Sequence, residues 1–242
     1  MNGKYEDDLA YIHDRGFGGF ANNAAPGLLK LLRDHGIDSG LVVDLGCGSG
    51  IWAKHLRDHG YEVFGVDQSA AMIKLARKSA PAAKFKTGSL FGKTLPSCNA
   101  VTSLGECISY LFDRNSKKDS LLKLFRNVYK ALQPGGIFIF DVMESLPYEL
   151  KYPKKLYKEG KDWAILFSAT CDRKKRILTR YMVTYRKIGT HYRRSEEVHR
   201  LRVLNRKIVR HELQKAGFRV CYLQSYGKVR MMTGRMGFLA GK

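Results

Sequence analysis

Leu41-Val42-Val43-Asp44-Leu45-Gly46-Cys47-Gly48-Ser49-Gly50 decides the fold of this chain. Five residues of strand character run into a turn with glycine at every second position, and Ile51-Trp52-Ala53-Lys54-His55-Leu56 then follows. Its apolar positions 51, 52 and 56 fall on one helical face, and Gly60 ends the helix. Strand, glycine turn and helix in succession are the start of a parallel-sheet unit. Glycine is required where a chain turns sharply or lets a ligand lie against bare backbone.

The pattern continues outward from that turn. Tyr61 to Val66 reads as a second strand ending at Asp67, and Ser69 caps a helix over 70–79 with Ala71, Met72, Leu75 and Ala76 inward. Ala83 to Thr87 and Ala100 to Leu104 read as strands three and four. A helix from Ser116 to Leu132 leads through Gln133-Pro134-Gly135-Gly136 into a fifth strand, Ile137 to Phe140, ending at Asp141. In open parallel sheets ligands bind at the carboxyl ends of the strands, where strand order reverses. Those ends carry Asp44 to Gly50, Asp67, Thr87 to Ser89, Gly105-Glu106 and Asp141, so one rim collects the polar groups.

The spacing of that turn selects the ligand. Asp67 lies 17 residues beyond Gly50, where a carboxylate can accept both hydroxyls of a ribose. The glycines form G-x-G-x-G, one residue shorter than the G-x-G-x-x-G that seats a pyrophosphate on a helix N-terminus. Asp44 before the turn would repel a pyrophosphate but hold a cationic amino group. An adenosine cofactor with an ammonium and no phosphate, S-adenosylmethionine, fits these electrostatics.

Val43-Asp44-Leu45-Gly46-Cys47-Gly48-Ser49-Gly50, Gly65-Val66-Asp67-Gln68-Ser69 and Leu132-Gln133-Pro134-Gly135-Gly136 together resemble the class I S-adenosylmethionine-dependent methyltransferases, in family order and spacing over residues 41–145. The resemblance implies an α/β fold: a Rossmann-like seven-stranded methyltransferase sheet with helices on both faces and the last strand antiparallel, plus a small antiparallel β insertion. It implies that Asp44 and the backbone of Gly46, Cys47, Gly48, Ser49 and Gly50 hold the methionine part and Asp67 the ribose. Gln68 and Met72 would flank the adenine, and Leu104 and Gly105 would face the sulfonium. Many members place an acid after the third strand for the adenine amino group. This chain has Gly88-Ser89 there, leaving Ser89 and the Leu90 amide to bind it.

Similar small-molecule enzymes carry an amino-terminal lid. Residues 1–40 are expected to form a helical one, with Tyr5, Tyr11, His13 and Phe17 as its aromatic groups, Tyr11 toward the cofactor, and Gly16, Gly18 and Gly19 allowing a bend. The alternative is plain packing of Tyr11 and Phe17. Methyl transfer needs a base only for a hydroxyl or carbon acceptor, and the candidates are Glu106, His13, Tyr110 and His191. None sits in a diagnostic motif: Glu106 also suits a helix start, and His191 a solvated surface.

The charge divides the chain. Of 43 Lys+Arg and 22 Asp+Glu, residues 1–145 hold 18 and 15, a balance of +3, whereas residues 146–242 hold 25 and 7, a balance of +18. Residues 41–145 are expected to form the cofactor half, 146–204 a basic antiparallel insertion roofing the substrate site, and 205–242 a final helix and two strands. The break lies near Ser145 and Leu146-Pro147. The arginines and lysines of the insertion suit a groove for RNA or an anionic small substrate, or else a solvated outer sheet face. No RNA-binding module is recognisable. No Asn/Asp-Pro-Pro-aromatic motif follows the fourth strand, and Phe140-Asp141-Val142 resembles enzymes of small metabolites. The expectation is therefore transfer to an O, N or C atom of a small molecule, an anionic one included. RNA methylation is the alternative, and a non-catalytic methyltransferase-like binding module a third. Five scattered cysteines without a C-x-x-C pair suit a reducing cytosol and no structural metal. No apolar run approaches the ~18–20 residues of a membrane span, and the acidic start is no signal peptide.

Overall fold

Val42 and Val43 leave β1 (Leu41–Leu45) on opposite faces, and both are fully buried. A strand covered on both sides reads as a continuous apolar run, and this one sits in the middle of a sheet. The computed structural model describes residues 5–92, 94–113, 120–144 and 154–242. In chain order the first half runs α1 (Asp7–Phe17), α2 (Gly19–Asp34), β1, α3 (Ile51–Asp58), β2 (Glu62–Asp67), α4 (Ala70–Ser79), β3 (Lys84–Thr87), β4 (Cys98–Ser103), α5 (Ser120–Ala131) and β5 (Leu132–Met143). The second half runs β6 (Lys154–Gly160), β7 (Trp163–Asp172), β8 (Ile177–Ile188), β9 (His191–Arg202), α6 (Arg206–Lys215), β10 (Arg219–Leu223), β11 (Ser225–Tyr226), β12 (Val229–Arg230) and β13 (Arg235–Gly241).

The main sheet has seven strands in the order β10-β13-β5-β4-β1-β2-β3. β1 pairs in parallel with both β2 and β4, so strand order reverses there, and β13 enters antiparallel against β5 and β10. Alternation along β5 builds both cores. Phe138 and Phe140 face α5 and α6, stacking on each other and on Phe238, while Ile137 and Ile139 face α2 and α3 with Leu28, Leu32, Trp52 and Leu56. Burying such side chains on two faces at about 1.5–3 kcal/mol each holds the rim rigid.

A second, four-stranded antiparallel sheet runs β6-β7-β8-β9. Its inner face packs Trp163, Ile165 and Met182 against Leu9 and Ile12 of α1.

Several expectations need adjustment. β6 was not foreseen. β5 begins at Leu132 because Leu132 already pairs with Cys98 ahead of a register shift, so Gln133 to Gly136 belong to the strand. The lid segment forms two helices, broken where an added Cβ at Gly18 would strike Ile51. In α4 Met72, Ile73 and Ala76 are buried rather than Ala71 and Leu75. The proposed break near Ser145 and Leu146-Pro147, and the helix start at Ser116, lie outside the described residues.

Candidate active site

The three glycines after β1 each adopt a left-handed φ, +79° at Gly46, +53° at Gly48 and +79° at Gly50, which L-residues with side chains rarely take. Two of them also allow close packing: a Cβ at Gly46 would lie 2.4 Å from Cys107 Sγ, and one at Gly50 2.9 Å from the Ala76 backbone. Above Gly48 there is nothing within 4 Å. Across the rim Gly105, φ +87°, also faces open space. Bare backbone thus stands open at the carboxyl ends of β1 and β4.

Carboxylates stand at the same rim. Asp67 accepts from the Gly48 amide at 2.9 Å and the Ser69 amide at 2.9 Å, stitching the glycine loop to the start of α4. Burial pushes its pKa up while these backbone donors oppose the rise. Asp44 is buried beneath the loop, where the Thr102 hydroxyl donates to it at 2.7 Å and Trp52 Nε1 donates to Thr102 at 3.2 Å. Burial raises Asp44 to about 7 against the pull of that hydroxyl, with Asp67 adding to the rise. A buried carboxylate facing another acid is a site short of a cation. Cys47 and Ser49 are themselves buried, and the Gly46 and Cys47 amides both reach Val66 O, at 2.7 and 3.1 Å.

Beyond Leu104, Glu106 is a non-glycine residue at φ +64°. Asp141 holds this turn, accepting from the Gly105 and Glu106 amides at 2.9 and 2.7 Å and from the Tyr226 hydroxyl at 3.1 Å. The Glu106 carboxylate meets Arg180 at 2.8 Å and Arg235 at 2.7 Å. Burial pushes its pKa up, but the two guanidiniums outweigh that and hold it below the usual range. As a sequence candidate for the base, Glu106 is corrected: an acid locked between two arginines does not take a proton near neutrality.

The other candidates separate. His191 is exposed at the start of β9, beyond the turn of the β8–β9 hairpin, and Thr190 Oγ1 is its hydrogen-bond neighbour, so it is corrected as well. Tyr110 is buried, its hydroxyl 3.1 Å from that of Tyr5 and 3.3 Å from Arg180. His13 is half-buried against Tyr5 and Phe17, with desolvation lowering its pKa to about 4 and Nδ1 lacking a partner. Tyr11 does not turn to the cofactor rim: its hydroxyl donates to Asp162 at 2.7 Å, and Arg186 lies 3.9 Å over its ring. A phenol ring with a cation on its face and a carboxylate on its tip is held by the roof.

Ser89 donates to Asp113 at 2.6 Å and accepts from the Phe91 amide at 3.0 Å. A buried acid from the segment after β4 thus reaches the end of β3, where the sequence shows none. Met72 is buried in α4, while Gln68 and Leu90 are half-buried beside the same rim. Sequence reading also missed Glu197 and His199. They lie on the inner face of β9, 2.9 Å apart, and Glu197 accepts the Tyr5 and Glu6 amides at 2.8 Å each. Their spacing of two, in phase with buried Leu201, was the available signal.

The donor set suits S-adenosylmethionine: a buried acid for an ammonium, a second acid at the end of β2 for hydroxyls, and bare glycine backbone for the close approach. Residues 42–136 match the methyltransferase domain family. The chain is similar to an S-adenosylmethionine-dependent methyltransferase of Clostridium acetobutylicum, at 16% identity and TM-score 0.81 over 96% of this chain and 97% of that one. It is also similar to the sugar N-methyltransferase KedS8 of Streptoalloteichus, at 19% identity and TM-score 0.80 over 100% and 96%. A dTDP-3-amino-3,6-dideoxy-alpha-D-glucopyranose N,N-dimethyltransferase of Streptomyces fradiae is 27% identical over 57% of this chain, which spans only 54% of that relative. Rim, strand order and family match agree: residues 42–136 carry the methyltransferase domain, and the chain has the fold of S-adenosylmethionine-dependent methyltransferases.

Proposed function

We propose that the protein transfers the methyl group of S-adenosylmethionine to an O, N or C atom of a small molecule held between the rim and the inner face of the second sheet. The observation that carries this reading is the bare backbone open at Gly48 and Gly105, after β1 and β4, together with the buried Asp44 at the same rim. In this reading Asp44 takes the ammonium, Asp67 the ribose hydroxyls, and Gln68, Met72, Ser89 and Leu90 surround the adenine. Leu104 and Gly105 bound the sulfonium side. The sulfonium, when bound, supplies an activated methyl group for in-line displacement. The protein's own part is to align the acceptor and exclude water. A base is dispensable for an amine that arrives unprotonated. Asp113 supports the adenine end through Ser89.

Charge pairing bears on the acceptor. Arg180 and Arg235 meet Glu106, and Arg186 and Arg193 meet the buried Asp8. Three of the insertion's cations, Arg180, Arg186 and Arg193, are thus matched by acids within the fold, which favours a neutral or amine acceptor. The relatives that act on amino sugars point the same way.

Thermal unfolding with S-adenosylhomocysteine tests the cofactor half, because a ligand of the native state at 100 times its Kd adds about 2.7 kcal/mol. A rise in Tm for the parent chain, absent in Asp67→Ala, is expected; no rise at millimolar concentration rejects the reading. Transfer of labelled methyl to a panel of amino sugars and small amines then tests the acceptor.

A further inference from the structure

β9 carries a histidine that the packing of the fold leaves half-satisfied. His199 has no exposed surface, yet only one of its ring nitrogens has a partner: Nε2 lies 2.9 Å from Glu197, and Nδ1 has none. A carboxylate only accepts, so Nε2 carries the proton of the neutral ring and Nδ1 keeps its lone pair. Glu197 is fixed in turn by the Tyr5 and Glu6 amides, at 2.8 Å each. An imidazole oriented by a carboxylate, with its second nitrogen free, is built to accept a proton. A buried polar atom without a partner calls for an explanation, and a catalytic role supplies one.

Two chain segments bring this ring to the rim. The segment that follows Leu104 and Gly105 runs onto β9: the Leu111 amide donates to Arg200 O at 2.8 Å, and Tyr110 bridges to Leu201. From the other side Tyr5 packs its ring 4.6 Å from that of His199 and accepts at its carbonyl from Ser69 Oγ, two residues after Asp67. The remaining charged and titratable groups nearby have their own company. Arg180, opposite His199 in register, is bound to Glu106, and the Tyr5 and Tyr110 hydroxyls lie 3.1 Å apart. His13 of α1, 5.2 Å from the Tyr5 ring, also has an unpartnered Nδ1, but among the described residues no carboxylate hydrogen-bonds to it.

We propose that His199 is the proton acceptor of the transfer and that the molecule methylated is an amine arriving as its ammonium ion, an inference that rests on the small-molecule reading above. An ammonium has no lone pair to offer a methyl carbon, so one N–H bond breaks first. Its electron pair stays on nitrogen, and the proton passes to Nδ1, giving an imidazolium that Glu197 stabilises at Nε2. The freed pair then attacks the methyl carbon as its bond to sulfur breaks, and that bond's electrons go to sulfur. The rings of Tyr5, Tyr110 and Phe112, with centroids 4.6–5.7 Å from that of the imidazole, suit the entry of a cation. Tyr5 is the cover: the fold holds it at φ +53°, rare for an aromatic residue, and the amine enters as it lifts.

Transfer of labelled methyl from S-adenosylmethionine to 3-amino-3-deoxy-D-glucose by the full chain, followed from pH 6.5 to 9.5, tests the proposal. His199→Gln should lower kcat/KM about 100-fold at pH 7 but only about threefold at pH 9.5, where the free amine predominates, with the Tm rise from S-adenosylhomocysteine unchanged. His199→Ala should regain roughly a third of the parent rate when imidazole is added, a rescue that a merely structural histidine would not show. In the 15N-histidine-labelled parent with S-adenosylhomocysteine bound, the amino sugar should shift the Nδ1 resonance of His199. A loss equal at both pH values and not restored by imidazole overturns the proposal, as does full activity of His199→Gln at pH 7. So does a parent chain that binds S-adenosylhomocysteine yet neither methylates the amino sugar at any pH nor shifts Nδ1 in its presence. That outcome leaves the cofactor half standing, whereas no Tm rise in the parent would reject the reading beneath it.

Discussion

Two buried acids, one in β1 and one just after β4, behave in opposite ways. Asp44, beneath the glycine loop, has a hydroxyl for a partner, and its pKa is pushed up to about 7. Glu106, after β4, has two arginines, and its pKa is pulled down. Both are desolvated, so the difference lies in the company each keeps. A buried carboxylate already matched to guanidiniums is part of the scaffold, whereas one left without a cation is prepared to receive one.

Removing the matched acid should have the largest effect. Glu106→Gln keeps the shape but leaves Arg180 without its carboxylate and Arg235 with only Asp141, at 3.4 Å. Breaking a buried pair by removing one partner costs about 3–5 kcal/mol, a Tm loss on the order of 10 °C for a chain of this size. Equilibrium urea unfolding measures it; a Tm within 2 °C of the parent would mean that the arginines find water and that Glu106 is no scaffold.

The unmatched acid should respond in reverse. Asp44 has a folded pKa raised above its unfolded value of about 3.9, so its contribution to stability is full below that value and is lost as pH rises through about 7. Asp44→Asn should therefore stabilise the cofactor-free chain at pH 8, by about 1–3 kcal/mol, and abolish the Tm rise given by S-adenosylhomocysteine. Stabilisation without loss of that rise would remove Asp44 from the binding site.

A smaller effect separates the same two acids by titration. If the ammonium needs the ionised form of Asp44, cofactor affinity climbs by up to tenfold per pH unit below about 7 and levels off above it. Glu106, already ionised there, contributes no slope. Calorimetric titration of S-adenosylhomocysteine between pH 5.5 and 8.5 reads the curve, and a flat profile would sink the assignment.

These contrasts mark how far the sequence could be read. Period and punctuation exposed the parallel half, because Val42-Val43, the glycine turn and Asp67 are neighbours along the chain. Long-range pairing stayed hidden. Nothing local says that Arg180 reaches Glu106 or that Asp113 comes to Ser89, since 74 and 24 residues separate these partners. The partners of the insertion's charge stayed hidden for the same reason. Alternation along β8 puts Arg180 and Arg186 on one face, but only the approach of α1 and of the turn after β4 to that face shows it to be the inner one.

The smallest predicted effect follows from that difference in partners. Arg173 and Lys174 sit exposed in the β7–β8 turn, while Arg180, six residues along the same ribbon, has a side chain only 20% exposed. Sequence gave all three the same standing as parts of a basic surface. Arg173→Gln with Lys174→Gln should change stability by no more than about 0.5 kcal/mol, as surface substitutions do, and leave the response to S-adenosylhomocysteine intact. Arg180→Gln should instead cost several kcal/mol by stranding Glu106. Paired urea titrations decide it. Equal effects would show the ribbon's charge acting as one field, and larger losses at the turn would return the basic surface to a functional role.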